Sequence, residues 1–511
     1  MDSSRGISRR AVLASAPALI AGALQAPRAS AAALPFSQPT PIRSENGVLS
    51  TTLRVAFTRG TLAGVGDVNL RLYNGQVNGP TLRVRPGDLL DLEHINALPP
   101  NPDQASHGDH NVPHHFNTVN LHTHGMHVSP AGDADNVFRE FTPYDPANGL
   151  TTTSYRSRIE IPADHPGGTY WYHSHVHGST AVHLSGGLLG AIVVEGAVDR
   201  VPEIAAATDV VMCVAELKLS DGQVRQVPEL RAENDLGAAE SVFVVNGSFR
   251  PVIQLREGEV QRWRLINASA FTALPIRVEG HALHQIAMDG FALTRTVERD
   301  GVTLSMGNRA DVMIRAQSPG EYRVMAGDIL LATMTVRSGS GVRMDLPTDL
   351  PGPAPYLDPR EVTRRRSLTF HSDRNAFPGQ PFPHAFRITG DGATPATRDA
   401  ADPKDPTYGR FDPAYVNHTC RLGETEEWTL RNDSTGHSNH PFHLHTNHFL
   451  VTAVDGRPLA TPVWQDTVGI LRGGSVTLRV RFDDFTGRAL VHCHQLQHED
   501  RGMMQLVDYV E

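Results

Sequence analysis

Apolar and polar residues alternate along most of this chain in short runs. Leu70-Arg71-Leu72-Tyr73 and residues 155–161, 260–266 and 476–482 each put every second side chain on one face, the period of a half-buried β-strand. Gly, Pro, Asp and Asn separate the runs, as tight turns require. No long stretch keeps the period of about 3.6 residues that an amphipathic helix needs. The pattern predicts an all-β protein.

Two signatures recur. Arg85-Pro86-Gly87-Asp88, Arg256-Glu257-Gly258-Glu259 and Arg421-Leu422-Gly423-Glu424 share one form, and an Asn stands eleven positions after each Arg, at Asn96, Asn267 and Asn432. Further on, Gly168, Gly320 and Gly487 align, which sets His173 and His175 opposite Met325 and Gly327, and opposite His492 and His494. The outer copies carry metal-type residues where the middle copy has none. A spacing of about 150–170 residues predicts three Greek-key β-sandwiches in tandem, at 45–197, 205–338 and 360–511, joined through 196–207 and the Pro- and Gly-rich 338–359.

The length of 511 residues and 40% hydrophobic content suit three cores. Ser8-Arg9-Arg10-Ala11-Val12-Leu13, a weakly apolar stretch to Leu24 and then Ala29-Ser30-Ala31 read as a twin-arginine leader over residues 1–31, so a periplasmic or secreted protein is expected. No later segment offers the ~20 unbroken apolar residues of a membrane span. The net charge of -9 becomes more negative once Arg5, Arg9, Arg10 and Arg28 leave with Asp2, which argues against a nucleic-acid partner. Three cysteines, Cys213, Cys420 and Cys493, make no disulfide framework, and a Cys213–Cys420 bridge stays open. Histidine, at 26 residues, is the outlier.

Four clusters hold the chemistry: His122-Thr123-His124, His173-Ser174-His175, His440-Pro441-Phe442-His443-Leu444-His445, and His492-Cys493-His494 with His498 and Met503. Residues two apart on a strand share a face, so each His-x-His pair presents two imidazoles together. One thiolate, two imidazoles and a distant thioether define a blue-copper site. Cys493, His498 and Met503 supply three of these within one strand and loop, and His440 can add the second imidazole. Structural zinc fits poorly, because paired cysteines are absent. His492 and His494 face away from Cys493, so the thiolate connects through peptide bonds to a second site. The eight histidines left, His122, His124, His173, His175, His443, His445, His492 and His494, are enough for three more coppers.

These four segments, their order and the metal-free middle copy resemble the multicopper oxidases, the family of laccases, bacterial cuprous oxidases, bilirubin oxidase and ascorbate oxidase. The resemblance covers essentially the whole mature chain, and the run Pro166-Gly167-Gly168-Thr169-Tyr170-Trp171-Tyr172 shares in it. It implies cupredoxin-like domains and four copper ions. His440, Cys493, His498 and Met503 match the type 1 ligands, and His122 and His443 the type 2 ligands. His124, His173, His175, His445, His492 and His494 match those of the type 3 pair. The implied partners are O₂ and a small reductant: a phenol, an aromatic amine or a metal ion. Among the acids, Asp135 matches the family's carboxylate after the first motif, although Asn136 replaces the usual Gly and Asp133 lies close by. Glu499 resembles a proton-passing acid of bacterial laccases, with a solvated surface carboxylate as the other reading.

Elsewhere the bland reading leads. His94, His165, His183, His281, His284, His371, His384 and His418 are expected at the surface or satisfied in a core. His127, His177, His437 and His448 border the motifs and should support them. The stretch with His107, His110, His114 and His115 reads as a loop rather than a copper collector. A copper nitrite reductase would lack the full set of paired histidines, and copper-free structural relatives lose ligands. A copper-storage protein or a cuprous oxidase remains an alternative to a laccase. The 11 methionines are dispersed, and Met344 is the only one between residues 338 and 440, so no thioether funnel for Cu(I) is visible.

Overall fold

The computed structural model describes residues 34–101, 110–151, 153–224, 240–339, 343–373, 376–377, 384–396, 405–435 and 439–511. The leader, His107 and His437 lie outside these.

The chain forms three β-sandwiches of cupredoxin-like type. In the first, the strands Gly66–Tyr73, Val48–Leu62, Leu89–Asn96 and Ser154–Glu160 face a second layer that ends in Gly168–His173 and His122–His124. Leu49, Leu53, Leu90, Leu92, Ile192 and Val194 fill the space between them. The third sandwich repeats the plan, with Gly487–Cys493 lying between Met504–Val510 and His440–Leu444. In the middle sandwich the same place is taken by Gly320–Ala326, flanked by Ile329–Arg337 and Leu274–Val278. There Arg277 pairs with Met325 at the place in the register where His443 pairs with His492 in the third module.

The first and middle modules share one continuous sheet, joined where Gln223 pairs with Asn69. This explains the unbroken apolar run Val210–Ala215 within the strand Thr208–Ser220. Val210, Met212 and Val214 face the middle core, while Val211, Cys213, Ala215 and Leu217 face a core shared with Leu70, Leu72 and Trp171. A strand covered on both sides has no solvent face to mark with polar residues.

The repeated sequence signatures are repeated devices. Gly87, Gly258 and Gly423 sit at φ 88°, 81° and 80°, the left-handed conformation that glycine adopts without strain. In each turn the fourth residue donates its N–H to the carbonyl of the first, over 3.0 Å at Asp88, 3.0 Å at Glu259 and 3.2 Å at Glu424. The three asparagines are buried and act alike. Asn96, Asn267 and Asn432 accept from the N–H of Leu98, Ser269 and Ser434 at 3.0, 3.0 and 3.1 Å, and donate to Phe141, Leu304 and Ile470 carbonyls across the sandwich. Each closes off a strand end that the ladder cannot satisfy.

Cys213, Cys420 and Cys493 are all free and buried, so no disulfide joins the first two. Cys213 lies in the shared core and Cys420 in the core of the third module. Among the described residues, no helix is long and apolar enough to cross a membrane.

Candidate metal centre

Cys493 ends its strand with the thiol buried. Its Sγ lies 3.4 Å from His440 Nδ1 and 3.7 Å from His498 Nδ1, and those two nitrogens are 3.2 Å apart. His440 opens the neighbouring strand, and its Nε2 is anchored by the Ser434 hydroxyl at 2.7 Å. His498 sits in the single helical turn Leu496–Glu499. The loop after Cys493 returns on itself: Cys493 N–H donates to the Met503 carbonyl and Met503 N–H to the His498 carbonyl, both at 3.0 Å. Met503 belongs to the same core as Cys493, whereas Met504 turns into a separate cluster with Val137, Phe411, Leu490 and Leu506. Successive strand residues face opposite ways, which puts Met503 on the thiol's side. Phe386 stacks on the His498 ring at 4.3 Å and 17°. Burial pushes the Cys493 thiol above its ordinary range and lowers His440 to about 3, so the imidazoles stay neutral.

The other eight histidines converge between the first and third modules. Each His-x-His pair keeps its two rings together, with centroids 5.7 Å apart for His122 and His124, 5.7 Å for His173 and His175, 5.0 Å for His443 and His445, and 5.6 Å for His492 and His494. Across the interface, His122 Nε2 approaches His443 Nε2 at 3.4 Å and His492 Nε2 lies 3.1 Å from His175 Nε2, while within the third module His492 Nε2 lies 3.1 Å from His445 Nε2. His494 meets His124 at 4.8 Å and His173 at 5.6 Å between centroids.

Most of these rings use one nitrogen as an anchor and turn the other inward. His122 Nδ1 bonds Asp135 at 3.0 Å, His173 Nδ1 the Ser174 carbonyl at 2.9 Å, and His443 Nδ1 the Asp466 carbonyl at 2.9 Å. Thr467 Oγ1 holds His124 Nε2 at 3.2 Å, and Glu499 lies 3.2 Å from His492 Nδ1. His124 Nδ1, His173 Nε2 and both ring nitrogens of His494 are buried with no hydrogen-bond partner. Buried polar atoms are seldom left so, and ligand nitrogens of His122, His124 and His173 lie within 4.8 Å of one another, which fits a metal ion. Burial also holds His173 and His175 in the neutral, ligating form, lowering His173 to about 3 and His175 to about 4. The residues present therefore fit copper.

Of the two aspartates weighed from the sequence, Asp135 is buried and also accepts from Thr123 N–H at 3.0 Å, while Asp133 is exposed and paired with Arg139. Burial raises Asp135 to about 7, against the opposing bonds from Thr123. Glu499 is fully buried against His492 and Thr180, which overturns the surface-carboxylate reading. The isolated histidines are mostly satisfied in cores: His94 bonds Ser157, His183 bonds Ser174 and Phe116, and His418 bonds Gln505. His448 donates to the Gly125 carbonyl and His127 to that of Thr446, so both tie the two modules together beside the centre. His110, His114 and His115 belong to none of the metal-sized groupings among the described residues. Asp466, Thr467 and Arg309 touch the centre without belonging to any histidine motif, and a carboxylate opening an apolar strand is the only sequence signal Asp466 offers.

Family models described as multicopper oxidase match residues 110–198, 222–343 and 384–510, together more than half of the chain. The chain belongs to the multicopper oxidase family. It is thus an oxidoreductase of a copper-binding family with O₂ as electron acceptor. It is 22% identical to the multicopper oxidase mco of Staphylococcus haemolyticus, over 90% of this chain and 89% of that one. A laccase of Bacillus stratosphericus is 25% identical over 86% and 90%, and the cell division protein FtsP of Dickeya dadantii 25% over 98% of each. Among solved structures, the multicopper oxidase of Campylobacter jejuni shares the fold with a TM-score of 0.71 at 22% identity, covering 94% of each chain.

Proposed function

We propose that the chain is a laccase-like oxidase that takes single electrons from phenols or aromatic amines and uses four of them to reduce O₂ to water. The observation that carries this reading is the position of Cys493. Its thiol points at His440 and His498, while its two chain neighbours, His492 and His494, enter the eight-histidine cluster. His440, Cys493, His498 and Met503 would hold a type 1 copper. His122 and His443 would hold type 2, and His124, His173, His175, His445, His492 and His494 the type 3 pair. Copper supplies the one-electron redox chemistry and the place where O₂ binds.

The chain's own residues do the rest. The peptide bonds on either side of Cys493 give electrons a covalent path from thiolate to cluster. Asp135 and Glu499, buried against His122 and His492, stand where protons have to be held. Export of the folded protein through the twin-arginine route belongs to the same reading.

The choice of organic substrates over Cu(I) rests on the dispersal of the methionines, Met344 being the only one between residues 338 and 440 of the sequence. Met344 is spent elsewhere, its Sδ accepting from Val260 N–H at 3.2 Å in an apolar cluster of the middle module. A copper-free structural role like that of a cell-division protein would not need all ten histidines, and they are all present. Comparing kcat/KM for a dimethoxyphenol and for Cu(I) under one set of conditions tests the substrate. A clear preference for Cu(I) reverses that choice, and no oxygen uptake with either by copper-loaded protein removes the oxidase reading.

A further inference from the structure

Among the described residues, the middle module contributes to none of the metal-sized groupings, yet it reaches the centre. Its turn at Gly307 lies against two cluster rings: a Cβ there would come within 2.9 Å of His124 Cε1 and 3.2 Å of His494 Cδ2. Two residues on, Arg309 is fully buried. Its Nη1 and Nη2 grip the two oxygens of Asp466 at 2.8 and 2.6 Å, and its Nε donates to the Thr169 carbonyl of the first module at 3.1 Å. One guanidinium therefore touches all three modules. Next to it, Asn308 Nδ2 donates to the Thr467 carbonyl at 2.7 Å and to Asp289 at 2.9 Å.

The residues so gripped are those that anchor the rings. Asp466 Oδ1 lies 3.3 Å from His124 Nε2 and 3.6 Å from His443 Nδ1. It also accepts from Thr467 Oγ1, which sits 3.2 Å from His124 Nε2 and 3.1 Å from His443 Nδ1. Both contacts fall on the outer nitrogens and leave His124 Nδ1 and His443 Nε2 facing the centre. A bidentate guanidinium fixes the plane of a carboxylate as well as its position, which a lysine cannot do. The fit has no slack, since a Cβ on Gly125 would meet the Arg309 guanidinium and the Asp466 carboxylate together.

We propose that Arg309 is a positioning residue for the copper cluster, acting through Asp466 on the ring orientations of His124 and His443. The ligand-free middle module is then part of the centre's supporting shell rather than a spacer. This rests on the copper assignment given above.

The test uses the full-length, copper-loaded protein and the variants Arg309→Met and Arg309→Gln. Copper retained per chain is followed against a graded chelator, together with the type 2 electron paramagnetic resonance signal, the blue absorption and thermal melting. The expected result is an intact blue band, cluster copper released about 10–100-fold more readily, and an altered type 2 signal. Unchanged retention and an unchanged signal would overturn the proposal even if melting fell, because that is what a purely structural staple gives. Should both variants fail to fold, Arg309→Lys carries the test, and parent-like retention and signal there overturn it equally. A parent protein that binds copper at the blue site but none at the eight histidines would instead bring down the assignment itself, and the proposal with it.

Discussion

His122 and His445 lie face to face, with ring centroids 3.9 Å apart and planes 10° from parallel. The next pair repeats the arrangement, His124 stacking on His443 at the same 3.9 Å and 10°. One His-x-His segment of the first module thus docks against one of the third with the order of its rings reversed. The centre exists only where the two modules meet, and each of them contributes half of its imidazoles.

Cys493→Ser should abolish the intense blue absorption and substrate oxidation, since thiolate-to-copper charge transfer gives the colour and the thiolate is the electron's way out. The fold should survive, because the hydroxyl replaces the thiol at similar size in a core built from many other side chains. Absorption and circular dichroism of the copper-loaded variant check this. A variant that stays blue would sink the type 1 assignment.

Met503→Leu should keep the colour and raise the reduction potential, because losing a weak axial donor destabilises Cu(II) relative to Cu(I). Met504 faces a different cluster and serves as the control. Potentiometric titration of both variants decides the matter, and a rise in Met504→Leu alone would shift the axial role by one residue.

Asp135→Asn should leave the blue site reducible by substrate and slow its reoxidation by O₂ by about 100-fold, the scale of a lost acid–base group. Stopped-flow absorption times the two half-reactions separately. Asp133→Asn, changing only an exposed partner of Arg139, should behave as the parent does. The same defect in both, or in Asp133→Asn alone, would place the role elsewhere.

Asn432→Ala should cost about 1–3 kcal/mol of stability, the penalty of stranding the buried Ser434 N–H and Ile470 carbonyl. Denaturant unfolding measures it. Asn96→Ala and Asn267→Ala should cost similar amounts in their own modules, and a neutral result at all three positions would remove the structural meaning of the repeat.

Much of this was written in the local pattern. Alternation along short runs sets strands, and the recurring turn and asparagine report three copies of one module. The spacing of two residues within each His-x-His pair forces both rings to one side. Cys493 between His492 and His494 separates two sites for the same reason, since adjacent residues on a strand point opposite ways. These relations depend only on backbone geometry, so the sequence determines them.

What the sequence left open depends on contacts between distant segments. Nothing near Glu499 in the chain tells that Thr180 and His492 enclose it, and Asp133 and Asp135 look equivalent until one turns to His122 and the other to Arg139. The free state of Cys213 and Cys420 follows from the separate cores they occupy. Arg309 and Asp466 carry no motif, because a salt bridge between modules needs only complementary charge at one point in space and leaves no periodic trace. The sequence by itself determined the strands, the three modules and the metal-type donors; only the tertiary structure decided which outer nitrogen each ring ties down, which carboxylate is buried, and that the middle module reaches the centre.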